Sequence, residues 1–172
     1  MRKIIFFIFL HILIFTTLKA KEPTLGILMN VISNDTQKFG IDNYSFYCTP
    51  YGVVTLERLY SSSEKESICQ QSIVGFYKKN PTLKYFTDGI LEVRQTYHLE
   101  LKDKRCILYA QGEITLAEQL LKKGLAVVKP QFKDEEFIYS YQKAEFKAKA
   151  EKIGMWNSKI LKNCISELSK QR

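Results

Sequence analysis

The side chains that could do chemistry in this chain are carboxylates and arginines, because the other usual catalytic groups are scarce. Only two histidines occur, His11 and His98, and His11 lies in an apolar N-terminal run. Sites built on paired histidines are therefore excluded, and neither a Gly-rich phosphate loop nor a Ser-nucleophile elbow is present. His98 lies in a strand pattern, which disfavours a Cys–His hydrolase. An enzyme with these residues would use a metal ion, carboxylates and arginines.

The first twenty residues have the three parts of a secretory signal. Arg2 and Lys3 form a positive start, residues 4–18 are mostly apolar, and Ala20 offers a small residue for cleavage. We predict a signal at residues 1–20, with an uncleaved N-terminal membrane anchor as the alternative. The rest is long enough for one domain with a real core. We expect that domain to be a periplasmic or secreted monomer.

The charge and the cysteine content indicate the kind of partner and the redox environment of the protein. The chain has 26 Lys and Arg against 18 Asp and Glu, a formal net charge of +8, which favours phosphate backbones, anionic membranes or acidic polysaccharides as partners. An even number of cysteines suggests two disulfides in an exported protein, with three possible pairings, and buried free thiols are the alternative. No C-x-x-C motif is present, so neither a zinc knuckle nor a thioredoxin-like site is predicted. The cysteines are Cys48, Cys69, Cys106 and Cys164.

The elements that must position the acids and arginines are strands first and helices later. Alternating or β-branched patterns predict strands at residues 25–33, 38–48, 52–60, 90–101 and 106–110, and residues 125–128 form a short apolar segment. Helices are predicted from Ser61 to Asn80, at 116–122, at 134–152 and in the tail after Trp156. This order favours an α+β fold over a parallel sheet.

The C-terminal part carries a more specific pattern. Gly124 opens the segment GLAVV, residues 143–152 read KAEFKAKAEK, and Trp156 follows closely. This combination resembles the thermonuclease (staphylococcal-nuclease-like) family, and weaker matches at residues 31–36 and 109–112 extend the resemblance over roughly 25–156. The resemblance implies a five-stranded β-barrel of the oligonucleotide-binding (OB) type with three helices at residues 21–156. A helical tail would follow at residues 157–172.

The resemblance also implies a chemistry: phosphodiester hydrolysis by water, assisted by Ca²⁺ held on carboxylates. Carried over by motif position, Asp35 is a metal ligand and Glu66 activates the water. Arg58 and Arg105 then stabilise charge on the reacting phosphorus. Further contacts to nucleic acid are predicted for Lys102, Lys104, Lys129 and Phe132.

The predicted site departs from the family pattern and has structural alternatives. Ser63 stands where the second metal aspartate is expected, and Glu64 beside it is the candidate replacement ligand. Asp35 could instead be a turn former, and Arg58 could pair with Glu57 or with Glu64 on the surface. The two loop glutamates could be first-turn helix residues, and Arg105 could belong to a solvated run of charges.

We therefore predict an exported, calcium-dependent endonuclease that hydrolyses DNA or RNA. The alternative is a non-catalytic domain of the same fold that binds nucleic acid, another polyanion or a protein partner. The nuclease hypothesis requires Asp35, Arg58, Glu66 and Arg105 to converge on one concave face of the barrel.

Overall fold

The computed structural model describes residues 24–171, so the signal predicted at residues 1–20 lies outside the described part. The strands are β1 (Thr24–Val31), β2 (Gln37–Ile41), β3 (Tyr44–Cys48), β4 (Val53–Thr55), β5 (Thr96–Lys102), β6 (Arg105–Gln111), β7 (Ile114–Thr115) and β8 (Ala126–Val128). The helices are α1 (Leu56–Ser62), α2 (Ile68–Lys79), α3 (Pro81–Lys84), α4 (Phe86–Ile90), α5 (Leu116–Lys122), α6 (Ile138–Ala150), α7 (Ile160–Asn163) and α8 (Ile165–Ser169), with a 3₁₀ turn at Gly154–Asn157. Within residues 24–171, no helix is long and apolar enough to cross a membrane.

Six strands form one antiparallel sheet in the order β3-β2-β1-β5-β6-β7, while β4 and β8 pair separately. The sheet curls on itself, because Cys48 in β3 is disulfide-bonded to Cys106 in β6 although three strands lie between them. The chain after β3 then runs beside β6, where the backbone N–H of Tyr51 donates to the carbonyl of Cys106 at 2.9 Å. The ladder does not close. This mixed arrangement confirms the predicted α+β class and is consistent with an OB-type fold.

Two predicted strands differ from the structure for local reasons. Residues 38–48 form the hairpin β2–β3, because Asp42 has φ +52° and turns the chain with Asn43. In residues 52–60 the strand ends at Thr55, whose Oγ1 accepts the N–H of Arg58 at 3.1 Å and caps α1. The second half of that predicted strand is therefore helical, with Leu56 and Leu59 buried on its core side.

Other helix boundaries also shift while the helices themselves remain. The helix predicted from Ser61 begins later, at α2, because Ser67 caps it and Ser61 belongs to the end of α1. The helix at 116–122 is confirmed as α5. The helix predicted at 134–152 is the shorter α6, which buries Ala144 and Ala148 as its close-packing face. Strand β5 likewise begins only at Thr96, after a turn.

The GLAVV segment and the Trp156 turn pack directly against each other. Gly124 has φ +60°, and a Cβ on it would lie 2.2 Å from the carbonyl oxygen of Ile153. On the other side of the same contact, a Cβ on Gly154 would lie 2.3 Å from the carbonyl oxygen of Lys123. The N–H of Met155 donates to the carbonyl of Gly124 at 3.0 Å. Both glycines are thus required by a close approach of two backbones.

The tail after Trp156 docks on α2. Cys69 in α2 is disulfide-bonded to Cys164, with 4.7 Å between their Cα atoms. Asn163 Nδ2 donates to Ser72 Oγ at 2.6 Å, and Ile160 is buried. The structure thus selects one of the three possible pairings, and no cysteine in the described residues is free. Two disulfides suggest an oxidising environment.

The Cys69–Cys164 disulfide should matter most for the docked tail. Its ends are 95 residues apart, so replacing both cysteines by serine restores much conformational freedom to the unfolded chain. We expect the free energy of unfolding to fall by about 2–5 kcal/mol, as is usual for native disulfides. Urea unfolding followed by Trp156 fluorescence would measure this. An unchanged unfolding midpoint would show that packing alone holds the tail.

Candidate functional site

The site centres on Asp35, which lies 8% exposed in the turn between β1 and β2. Its own N–H donates to Ser33 Oγ at 3.1 Å, which holds the turn. Both carboxylate oxygens have partners: Oδ1 accepts the hydroxyl of Thr55 at 2.8 Å, and Oδ2 accepts the guanidinium of Arg58 at 3.0 Å. Because Thr55 also caps α1, the carboxylate ties the β1–β2 turn to the start of that helix.

A second arginine lies near this carboxylate without pairing with it. Arg58 lies in the first turn of α1, and its Nε is buried without a hydrogen-bond partner among the described residues. Arg105 begins β6 and donates from Nη1 to the carbonyls of Pro50 and Val53, both at 3.4 Å. Burial lowers the pKa of Arg105, and the nearby charge of Arg58 lowers it further, while Asp35 opposes this. We call Asp35, Thr55, Arg58 and Arg105 the arginine site.

The arginine site has an excess of positive charge in a partly desolvated position. Of the two mutually repelling guanidiniums, only Arg58 is paired with the carboxylate, and Arg105 has only backbone carbonyls as partners in residues 24–171. A second anion would relieve their repulsion and could accept bidentate hydrogen bonds, which phosphate oxygens do well. These contacts favour an anion over a cation at this position.

A half-buried acid, Glu57, lies next to this site, although the sequence suggested it only as a surface partner of Arg58. Glu57 Oε1 accepts the amide of Asn34 at 2.8 Å and the hydroxyl of Tyr77 at 2.9 Å, whereas its Oε2 is buried without a partner in the described chain. Burial is the main cause that raises the pKa of Glu57, and the charge of Asp35 adds to it. Burial and Glu57 also raise the pKa of Tyr77. The sequence signal was weak, since Glu57 and Tyr77 come together only when α1 and α2 pack.

The two loop glutamates lie apart from the arginine site in their contacts. Glu64 and Glu66 are exposed in the connection from α1 to α2, and Glu66 has φ +61°. The N–H of Glu66 donates to the side chain of Gln70 at 2.9 Å, and its carbonyl accepts from Gln71. Neither carboxylate has a hydrogen bond or ion pair to the arginine site within residues 24–171. The structure thus brings Asp35, Arg58 and Arg105 together without these two acids.

The residues present do not fit a calcium ion. Calcium takes six to eight oxygen ligands, usually with several carboxylates among them. Here the oxygens of Asp35 are already bound by Thr55 and Arg58, and a guanidinium repels a cation. In the described part of the chain, no group of three or more His, Cys, Asp or Glu residues could hold a metal.

The four other residues predicted to contact nucleic acid differ in their exposure and in their partners. Lys102 pairs with Asp134 and lies 5.5 Å from the ring centre of Tyr51. Phe132 packs between Tyr51 and Tyr141, with ring centres 5.2 and 5.8 Å away, so its faces are largely covered by protein. By contrast, the β5–β6 turn exposes Lys104, and the end of β8 leaves Lys129 half-buried.

The fold and the site together define an α+β domain with a curled antiparallel sheet and a site of two arginines beside one aspartate. Residues 90–158 match the family model described as "Staphylococcal nuclease homologue". This match confirms the predicted resemblance and supports a nuclease-type or nucleic-acid-binding domain. The matched stretch contains Arg105 and Gly124, whereas Asp35 and Arg58 precede it. No curated protein matches the chain significantly.

Replacing Glu57 by Gln should change how stability depends on pH. The folded protein holds the proton of Glu57 more tightly than the unfolded chain, so it loses stability as pH rises above the ordinary value of 4.5. The variant has no titratable group at this position and so lacks this pH-dependent loss of stability. Its free energy of unfolding should therefore increase relative to that of the wild type as pH rises, by at most about 1.4 kcal/mol per pH unit.

Urea unfolding at about pH 5 and about pH 8 would measure this difference. In this range the folded and unfolded states can differ by one bound proton at Glu57. Glu66→Gln is the matched control, because Glu66 is exposed. Parallel pH dependence of the Glu57→Gln variant and the wild type would contradict a protonated carboxyl in the folded protein.

Proposed function

We propose that this exported domain binds nucleic acid by its phosphate groups and does not hydrolyse it by a calcium mechanism. The observation that carries the proposal is the arginine site. Arg58 pairs with the carboxylate of Asp35, whereas Arg105 has no ion pair with an acid among the described residues. The guanidinium of Arg58 occupies the carboxylate that would have to hold a metal. What remains is a site for an anion.

Phosphate is the ligand that this site suits best. Arginine makes paired hydrogen bonds to phosphate oxygens, and partial burial strengthens them relative to the same contacts in water. The chain stays basic without the predicted signal, because residues 21–172 hold 23 Lys and Arg against 18 Asp and Glu, and it would attract a polyanion from a distance. Lys104 and Lys129 would add phosphate contacts. The N-terminal signal pattern and the two disulfides support a place outside the cytoplasm.

The second candidate is the calcium-dependent endonuclease. In its favour, Asp35 and Arg105 occupy positions that the resemblance assigns to a metal ligand and a transition-state arginine. Catalysis would require Arg58 to leave Asp35 and the loop with Glu64 and Glu66 to supply further carboxylates. That rearrangement would break the 3.0 Å ion pair which joins α1 to the β1–β2 turn.

Replacing Arg105 by Ala should weaken binding to single-stranded DNA by roughly tenfold or more, the usual cost of losing hydrogen bonds to a charged group. The slope of log affinity against log salt should fall by about 0.7–1, which corresponds to one lost phosphate contact. Arg105→Lys keeps the charge and loses the fork, so it should retain the salt slope and lose part of the affinity. Fluorescence anisotropy with a labelled oligonucleotide would measure both quantities.

Lys143→Ala is the matched control, because it removes one positive charge from the exposed face of α6. In parallel, the oligonucleotide should keep its length in calcium as in chelator. Calcium-dependent cutting that Arg105→Ala slows by about 10²–10³, the cost of one transition-state donor, would establish the nuclease instead. Absence of any salt-sensitive binding would refute both candidates.

A further inference from the structure

A groove of about 980 Å³ lies beside the arginine site, between the β1–β2 turn and helices α1 to α4. Its walls are mostly aromatic and aliphatic, a composition typical of sites that take flat organic ligands. We call it the tyrosine groove, after the tyrosines that line it. The wall residues that matter here are Ile32, Tyr60, Val74, Tyr77 and Tyr85.

Much of this wall is exposed although it is apolar. Tyr60 is 40% exposed and Tyr85 is 61% exposed, while Ile32 and Val74 are 53% and 54% exposed. Scattered apolar side chains need no explanation, but a group that lines one groove marks a binding surface. Tyrosine rings also lose little conformational freedom when a ligand covers them.

Positive charge borders the aromatic wall. Lys78 and Lys84 line the groove, and Lys84 Nζ lies 5.6 Å from the ring centre of Tyr85. The acids that line it are Glu57, which is hydrogen-bonded to Tyr77, and Asp88. Aromatic rings next to lysines form the combination that holds single strands, because bases stack on the rings while phosphates meet the ammonium groups.

The groove adjoins the arginine site along the chain at two pairs of consecutive residues. Asn34 lines the groove and Asp35 belongs to the arginine site; in α1, Glu57 lines the groove and Arg58 belongs to the arginine site. We propose that the tyrosine groove holds an unpaired nucleobase of a single strand whose phosphate lies on Arg58 and Arg105. This inference rests on the proposed function and adds that the ligand is single-stranded.

The test replaces both exposed groove tyrosines, Tyr60→Ala with Tyr85→Ala, in the disulfide-bonded protein. The matched control replaces Tyr44 and Tyr139, which are 82% and 75% exposed outside the groove. The probes are a labelled oligothymidylate of about fifteen nucleotides, within the usual site size, an abasic oligomer of the same length, and a duplex.

We expect the groove variant to lose at least about fivefold in affinity for the oligothymidylate, the lower end of the cost of one base–aromatic stack. Its affinity for the abasic oligomer and for the duplex should match that of the control variant, because neither offers an unpaired base. Arg105→Ala should weaken all three probes.

Failure of the inference is distinguishable from failure of the proposed function. If Arg105→Ala weakens binding but the groove variant equals its control, the groove inference is wrong and the phosphate site stands. If the groove variant instead loses only binding of an apolar dye such as anilinonaphthalene sulfonate, the groove takes an apolar ligand and not a nucleobase. If none of the three probes binds the wild type, both the inference and the proposed function are wrong.

Discussion

The carboxylate of Asp35 joins the β1–β2 turn to the start of α1, and the other contacts at the site depend on this connection. One oxygen accepts the hydroxyl of Thr55 and the other accepts Arg58. Thr55 in turn accepts the N–H that begins α1. The β1–β2 turn and the helix therefore hold each other, and each contributes one residue to the arginine site and the residue before it to the tyrosine groove.

This use of Asp35 limits which ion the site can take. A carboxylate that neutralises a half-buried guanidinium is less available to a cation, and opening the ion pair would leave a partly buried charge without a partner. The same ion pair leaves Arg105 incompletely balanced, since burial and Arg58 both lower its pKa. A structure built this way favours binding of an anion over coordination of a cation.

The scaffold around the junction is held by close backbone contact and by covalent bonds. Gly124 and Gly154 allow the β8 segment and the Trp156 turn to touch, and the tail is fixed to α2 by the Cys69–Cys164 disulfide. Because α2 supplies Tyr77 and Lys78 to the tyrosine groove, the docked tail stabilises this wall of the groove. The tyrosine groove and the Cys69–Cys164 disulfide are thus connected through α2.

The sequence by itself determined the α+β class, the close-packing face of α6 and the resemblance to the staphylococcal-nuclease-like family, because these depend on local periodicity and on glycines with no alternative. It also placed Asp35 in a turn, since Asn34-Asp35 is a strong turn signal. The strand prediction was wrong for the second half of residues 52–60. Val53, Val54 and Thr55 favour a strand, but Thr55 also caps the next helix and so ends the strand.

Only the tertiary structure decided which cysteines pair, that Arg58 binds Asp35, and that Glu57 is hydrogen-bonded to Tyr77. These contacts join residues about twenty or more positions apart. No spacing rule predicts them, because they follow from how α1 packs against the sheet and α2. The acids and arginines from which the chemistry was first argued were present in the sequence, but their partners were set by packing.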